Sequence, residues 1–226
     1  MLLRTSAFLL LSFVCASALS QTPDAASSNL PKSFHDATLN INYFYPGRFT
    51  PDTASSSDPT ANPATPKCAH STLSANSVTP IDTSSFVLST IDSTCPNVLR
   101  GATELEPFIR EQILRQLKQY GEPTITQEPT HYTIDGHPAA LVLASVPLAP
   151  IPGNKLPRTT YAAKVCMLGS VPPRQHKRNQ PPDPIHHVLC FDYTTQHSDG
   201  MSLLFAFSMQ FDRDAPQPMI PGNVIR

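Results

Sequence analysis

The chain has 226 residues, room for one large domain or two small ones, with 25 prolines, only 8 glycines and no tryptophan. Apolar residues at 40% suffice for a packed core and exclude wholesale disorder. A formal net charge of −1, with 15% charged residues, gives no reason to expect nucleic acid or an anionic membrane as partner.

At the N-terminus Arg4 precedes the apolar run from Ala7 to Val14, and small residues follow at Ala16, Ser17, Ala18 and Ser20. That order is a secretory signal peptide over residues 1–20, with cleavage expected before Gln21. A lipoprotein alternative would use Cys15, but it wants a small residue where Val14 stands. The run is too short for a comfortable membrane span, and no later stretch of about 18 apolar residues follows. A secreted or periplasmic address is therefore expected. Cleavage removes Cys15 and leaves Cys68, Cys95, Cys166 and Cys190. An even set in an oxidising compartment favours disulfides, and Cys68–Cys95 with Cys166–Cys190 is the preferred pairing because each closes a Pro-rich loop. Zinc is the rival reading, but no Cys-x-x-Cys pair supports it.

Residues 21–36 are small and polar and read as a flexible N-terminal arm. Residues 38–45 alternate Leu39, Ile41 and Tyr43 with polar neighbours, a half-buried strand that Pro46-Gly47 stops. Residues 50–83 are Ser, Thr, Ala, Pro and Asp with few apolar residues, a low-complexity surface insertion. A second strand is expected over 85–92.

The clearest helix spans 104–120. Thr103 and Glu106 fit a capping box, Leu105, Ile109, Ile113 and Leu117 form one apolar stripe, and Gly121 suits the position after the end. Glu106–Arg110 and Glu111–Arg115 are i,i+4 pairs. Residues 124–127 and 130–134 lead to Asp135-Gly136, a hairpin signal, and then to the apolar strand 139–146. Pro147, Pro150, Pro152 and Pro157 break the chain. Strands follow at 160–168 and 186–195, separated by a proline-bracketed loop at 171–184. Large residues at Leu203, Phe205, Phe207, Met209 and Phe211 predict a further strand over 201–212, entered by an Asp199-Gly200 turn. Residues 215–226 read as an irregular tail.

The expected architecture is α+β: a mostly antiparallel sheet of six to seven strands packed by the helix 104–120, with long Pro-rich loops, as a single domain over 37–214. The opening strand running into Tyr45-Pro46, the amphipathic helix, and Ile134-Asp135-Gly136-His137-Pro138-Ala139 leading into a long apolar strand resemble the PsbP-like group of small secreted or peripheral domains. The resemblance covers roughly residues 38–146, and the insertion at 50–83 and the loop at 171–184 depart from a compact version of that fold. It implies a non-enzymatic accessory or binding domain with no catalytic set to carry across.

No motif names a reaction, and no catalytic residue, metal or cofactor is assigned. Adjacent His186 and His187 would point to opposite faces of a strand and cannot share an ion. His131 and His137 flank a predicted turn and could approach each other with Asp135, or stand solvated. Cys190, near those paired histidines, is the one thiol placed for nucleophilic catalysis, against its reading as a disulfide partner. Arg174, His176, Lys177 and Arg178 make a small basic tip, either a docking point for an acidic partner or a solvated loop. The lead reading is a secreted or periplasmic, non-enzymatic binding or accessory module of unknown partner, with another secreted or envelope protein as the candidate. The alternatives are a hydrolase with an unrecognised site and a small-ligand carrier.

Overall fold

A computed structural model describes residues 30–37, 39–52, 69–79, 82–92, 104–149, 158–171, 185–211 and 215–226. The strands are β1 (Lys32–Asp36), β2 (Ile41–Tyr45), β3 (Thr50–Pro51), β4 (Ala69–Val78) and β5 (Thr83–Asp92). After the helix α1 (Leu105–Leu117) come β6 (Thr124–Ile134), β7 (His137–Leu148), β8 (Arg158–Val171) and β9 (Ile185–Thr195). A 3₁₀ helix (Ser198–Ala206) and two short strands, β10 (Ser208–Gln210) and β11 (Gln217–Pro218), complete the described chain. The fold is α+β and its strand pairs are antiparallel, in two sheets where the sequence reading expected one. Seven strands run in the order β3-β4-β5-β9-β8-β7-β6, and four in the order β1-β2-β10-β11.

Strand alternation explains the layers. On one face of the large sheet, Ala140, Val142, Ala144 and Val146 of β7, Ala162 and Cys166 of β8, and Val188 and Cys190 of β9 receive Leu105, Ile109, Ile113 and Leu117 of α1. Small side chains there let a helix lie close to the sheet. On the other face Leu141, Val165, Met167, Phe191, Tyr193 and Phe86 meet Tyr43, Tyr45, Phe207 and Met209 of the small sheet and its flanks. Aromatic rings fill that wider gap, with Phe86 and Phe207 edge to face at 5.1 Å and Phe191 and Phe207 at 4.8 Å.

Several expectations change. Lys32–Asp36, placed in the flexible arm, forms β1 and pairs with β2 from Lys32↔Tyr45 to Asp36↔Ile41. Its ladder closes through a turn at Asn40, whose φ of 55° suits asparagine. The insertion 50–83 holds β3, β4 and the start of β5 among its described residues. β4 pairs with β5 from Ala69↔Ile91 to Val78↔Thr83, so backbone bonding and an inner edge of Leu73 and Ala75 make a strand of a polar segment. The helix ends earlier than residue 120, at Leu117. Its N-cap is Glu104, with no side-chain cap bond, and Thr103 lies outside the described residues. Glu111 and Arg115 pair as expected, whereas Arg110 turns to Glu128 of β6 at 3.0 Å instead of Glu106.

Gly121 is needed where the chain leaves α1. Its φ is 154°, and a Cβ there would stand 3.0 Å from the Pro147 carbonyl oxygen and 3.2 Å from Val146. Pro147 itself does not break β7 but pairs with Thr159 near its end. The expected strand 201–212 is largely a 3₁₀ helix; of its large residues only Met209 lies in a strand, with Phe207 just before it. The hydrogen bonds that hold Gly200, described below, coil the chain before pairing resumes. Finally, the tail is not irregular throughout, for β11 pairs with β10, and Met219, Ile220 and Val224 enter the core.

Candidate functional site

The densest polar cluster of the described residues lies where three loops meet at one end of the sheets. Phe49 N–H donates to the Pro46 carbonyl (3.1 Å), closing the turn that carries Arg48. In the loop joining β4 to β5, Thr79 and Asp82 lock each other. Thr79 N–H donates to the Asp82 carbonyl at 2.8 Å, and Asp82 N–H donates to Thr79 Oγ1 at 3.0 Å. The third loop leads from Thr195 into the 3₁₀ helix.

Asp82 joins these loops. Its carboxylate accepts from Ser84 Oγ at 2.5 Å, Thr195 Oγ1 at 2.7 Å and Gln196 N–H at 3.2 Å, and Arg48 stands 3.7 Å away. Burial alone would raise its pKa, but the hydrogen bonds from Ser84, Thr195 and Gln196 and the Arg48 charge outweigh it and hold the carboxyl below its ordinary value. Tyr193 donates to the Gly200 carbonyl at 2.7 Å, with Ser84 Oγ 3.3 Å away, and burial raises its pKa. Gly200 is obligatory, since a Cβ there would fall 2.2 Å from Thr195 Oγ1 and 3.0 Å from the Asp82 carboxylate.

A carboxylate held by three donors is a fixed anion, poorly suited to take up a proton at neutral pH. Its effect is to position Arg48. That guanidinium lies 5.7 Å from the Phe49 ring centroid, and its buried Nε has no hydrogen-bond partner. The side chain is nonetheless 31% exposed. Two exposed apolar residues belong to the elements that these loops join. Val78, next to Thr79, is 74% exposed, and Phe205 on the 3₁₀ helix is 48% exposed. Arg48 is thus a partly exposed guanidinium facing a carboxylate whose hydrogen bonds come from other residues.

Among the expected site residues, Cys166 and Cys190 stand opposite each other on β8 and β9 and form a disulfide with a Cα–Cα distance of 4.2 Å. Cys190 therefore carries no free thiol for nucleophilic chemistry. Cys68, Cys95, the basic tip of Arg174, His176, Lys177 and Arg178, and the N-terminal 20 residues lie outside the described residues. His131 and His137 do not approach each other. His131 pairs with Ala140, which faces α1, whereas His137 shares the opposite face with Ala139.

The sequence reading missed Arg48 and Asp82 altogether. It also missed Lys164 and Asp192, cross-strand partners of β8 and β9 joined at 2.6 Å. A shallow groove of about 380 Å³ lies along the outer strand β6, lined by Gln127, Glu128, Pro129, Thr130, His131 and Arg226. Two register shifts bend β6 there, and the Gln127 amide donates to the Val224 carbonyl at 2.9 Å while its Oε1 accepts from Arg226 N–H at 3.1 Å. Among the described residues no three metal-ligating side chains gather, and no helix is long and apolar enough to cross a membrane.

No protein-family model and no curated protein matches the sequence. Among solved structures the fold is similar to cyanobacterial PsbP (CyanoP) from Synechocystis sp. PCC 6803, at 15% identity and a TM-score of 0.42 over 79% of this chain and 92% of that one. It is also similar to LpqN, a protein involved in cell envelope biogenesis of Mycobacterium tuberculosis, at 13% identity and a TM-score of 0.41 over 78% of this chain and 84% of that one. The PsbP-like resemblance drawn from residues 38–146 recurs here as a likeness of fold.

Proposed function

We propose that this chain is a non-enzymatic binding domain of an oxidising, extracytoplasmic compartment, secreted or periplasmic after cleavage before Gln21, and that it docks another secreted or envelope protein through the Arg48 surface. The observation that carries the reading is Arg48 itself. Asp82 is already satisfied by Ser84, Thr195 and Gln196, so the guanidinium keeps donors for an outside carboxylate while Val78 and Phe205 offer apolar contact. The Cys166–Cys190 disulfide supports the compartment.

A photo-crosslinking residue placed in turn at Val78, Phe205 and Glu111 tests the surface in the protein's own compartment. Adducts to one protein partner from the first two positions and none from Glu111, an exposed residue of α1, are expected. Equal labelling from all three positions, or from Glu111 alone, contradicts the assignment.

A further inference from the structure

Two cations attach to one turn beside Asp82. Phe49 N–H closes the turn on the Pro46 carbonyl, and the Phe49 ring is fully buried against Phe86 at 5.2 Å and Phe207 at 5.7 Å. Lys32, the first residue of β1, donates from Nζ to the Phe49 carbonyl at 2.8 Å. Its ammonium is thereby held at the residue next to Arg48. The aromatic core fixes Phe49, and Phe49 ties both cations to one place.

Both cations keep donors. Arg48 Nη2 lies 3.7 Å from the Asp82 carboxylate, too long for a hydrogen bond, and Asp82 takes its own from Ser84, Thr195 and Gln196. The guanidinium therefore has a neighbouring charge without a hydrogen-bonded partner. The Asp82 side chain is only 9% exposed, so the cation is the member of this pair that faces outward. Lys32 spends one N–H on the Phe49 carbonyl, and among the described residues its ammonium belongs to no ion pair. Two positive charges thus meet one carboxylate whose hydrogen bonds are already supplied.

We propose that Lys32 and Arg48 together recognise an acidic segment of the docked protein, Arg48 taking one carboxylate through its guanidinium fork and Lys32 a second as a point charge. This inference rests on the docking role given to the Arg48 surface and adds the chemistry of the partner. Attraction between such charges is screened by salt, so recognition weakens as ionic strength rises.

The test titrates the oxidised full chain with a hexaglutamate peptide, and separately with hexaglutamine, at about 0.02 M and again at about 0.5 M salt. Binding is followed through the side-chain NMR signals of Lys32 Cε and Arg48 Nε. Hexaglutamate should shift both signals at low salt and hexaglutamine neither, with binding weakened about tenfold at high salt. Lys32→Gln and Arg48→Gln should each weaken it about threefold or more, while Lys118→Gln and Arg158→Gln leave it unchanged. Should a variant fail to fold, the signals of the unsubstituted chain decide. Shifts as large at Lys118 and Arg158 as at Lys32 and Arg48, or none at Lys32 and Arg48, overturn the proposal. Equal crosslinking from Val78, Phe205 and Glu111 overturns the docking surface instead, so the two failures are told apart.

Discussion

The two faces of β7, β8 and β9 differ in chemistry, though the same strands supply both. The helix side is built of alanine, valine and a disulfide, and receives four aliphatic side chains from one helix. The other side is built of phenylalanine, tyrosine and methionine, and receives a second sheet, a 3₁₀ helix and the C-terminal tail. A helix close to a sheet leaves room only for small residues, whereas sheets roughly 10 Å apart require large ones. The difference has a functional consequence. The helix side buries smooth aliphatic surface, while the aromatic side collects loops, and one of its ends carries the Arg48 cluster.

Substitutions can break this comparison, and the largest effect belongs to the aromatic side. Phe86 contacts Tyr45, Phe49, Phe191 and Phe207. Phe86→Ala should therefore lower unfolding stability by about 3–5 kcal/mol in a denaturant titration. Next comes the helix-side staple. Replacing both Cys166 and Cys190 by serine opens a loop of sequence separation 24, and about 3 kcal/mol should be lost, read as a lower thermal midpoint than that of the oxidised chain. Ala140→Leu adds volume where α1 lies against β7, and should cost about 1–3 kcal/mol by the same titration. If Ala140→Leu were neutral, close helix–sheet contact would not be what selects small residues there.

The Asp82 cluster gives a smaller, pH-dependent effect. Its carboxyl is held below its ordinary value in the folded chain, so its contribution to stability is present above the unfolded pKa of about 3.9 and disappears as pH falls through the folded value. Stability measured downward from pH 6 should therefore fall below about pH 4, and Asp82→Asn should flatten that acid limb. An acid limb unchanged by Asp82→Asn would place the titrating group elsewhere.

Much of this arrangement was legible where it depended on local pattern. The Leu105, Ile109, Ile113 and Leu117 stripe gave the helix face, and Asp135-Gly136 gave a hairpin whose two residues have φ of 51° and 81°. The Arg48 site was not legible, because it depends on contacts that sequence spacing does not encode. Thr195 and Asp82 are 113 positions apart and are joined only when β5 and β9 pair. β4 was missed for a related reason, since its stability comes from backbone pairing with β5 and from few apolar side chains. The 3₁₀ helix carries a period-two pattern that predicted a strand, but Gly200 and its bond from Tyr193 favour coiling.

The binding role of Arg48 is the central claim, and one measurement tests it most directly. Arg48→Ala and Arg48→Lys would be titrated against the partner identified by crosslinking from Val78 and Phe205, beside the unsubstituted chain. Arg48 is 31% exposed and faces Asp82 at 3.7 Å, so its replacement should change folding stability by no more than about 1 kcal/mol. Binding should weaken by about tenfold or more in Arg48→Ala, with partial recovery in Arg48→Lys, which restores the charge without the guanidinium fork. Unchanged affinity in Arg48→Ala, with the fold intact, would contradict the account.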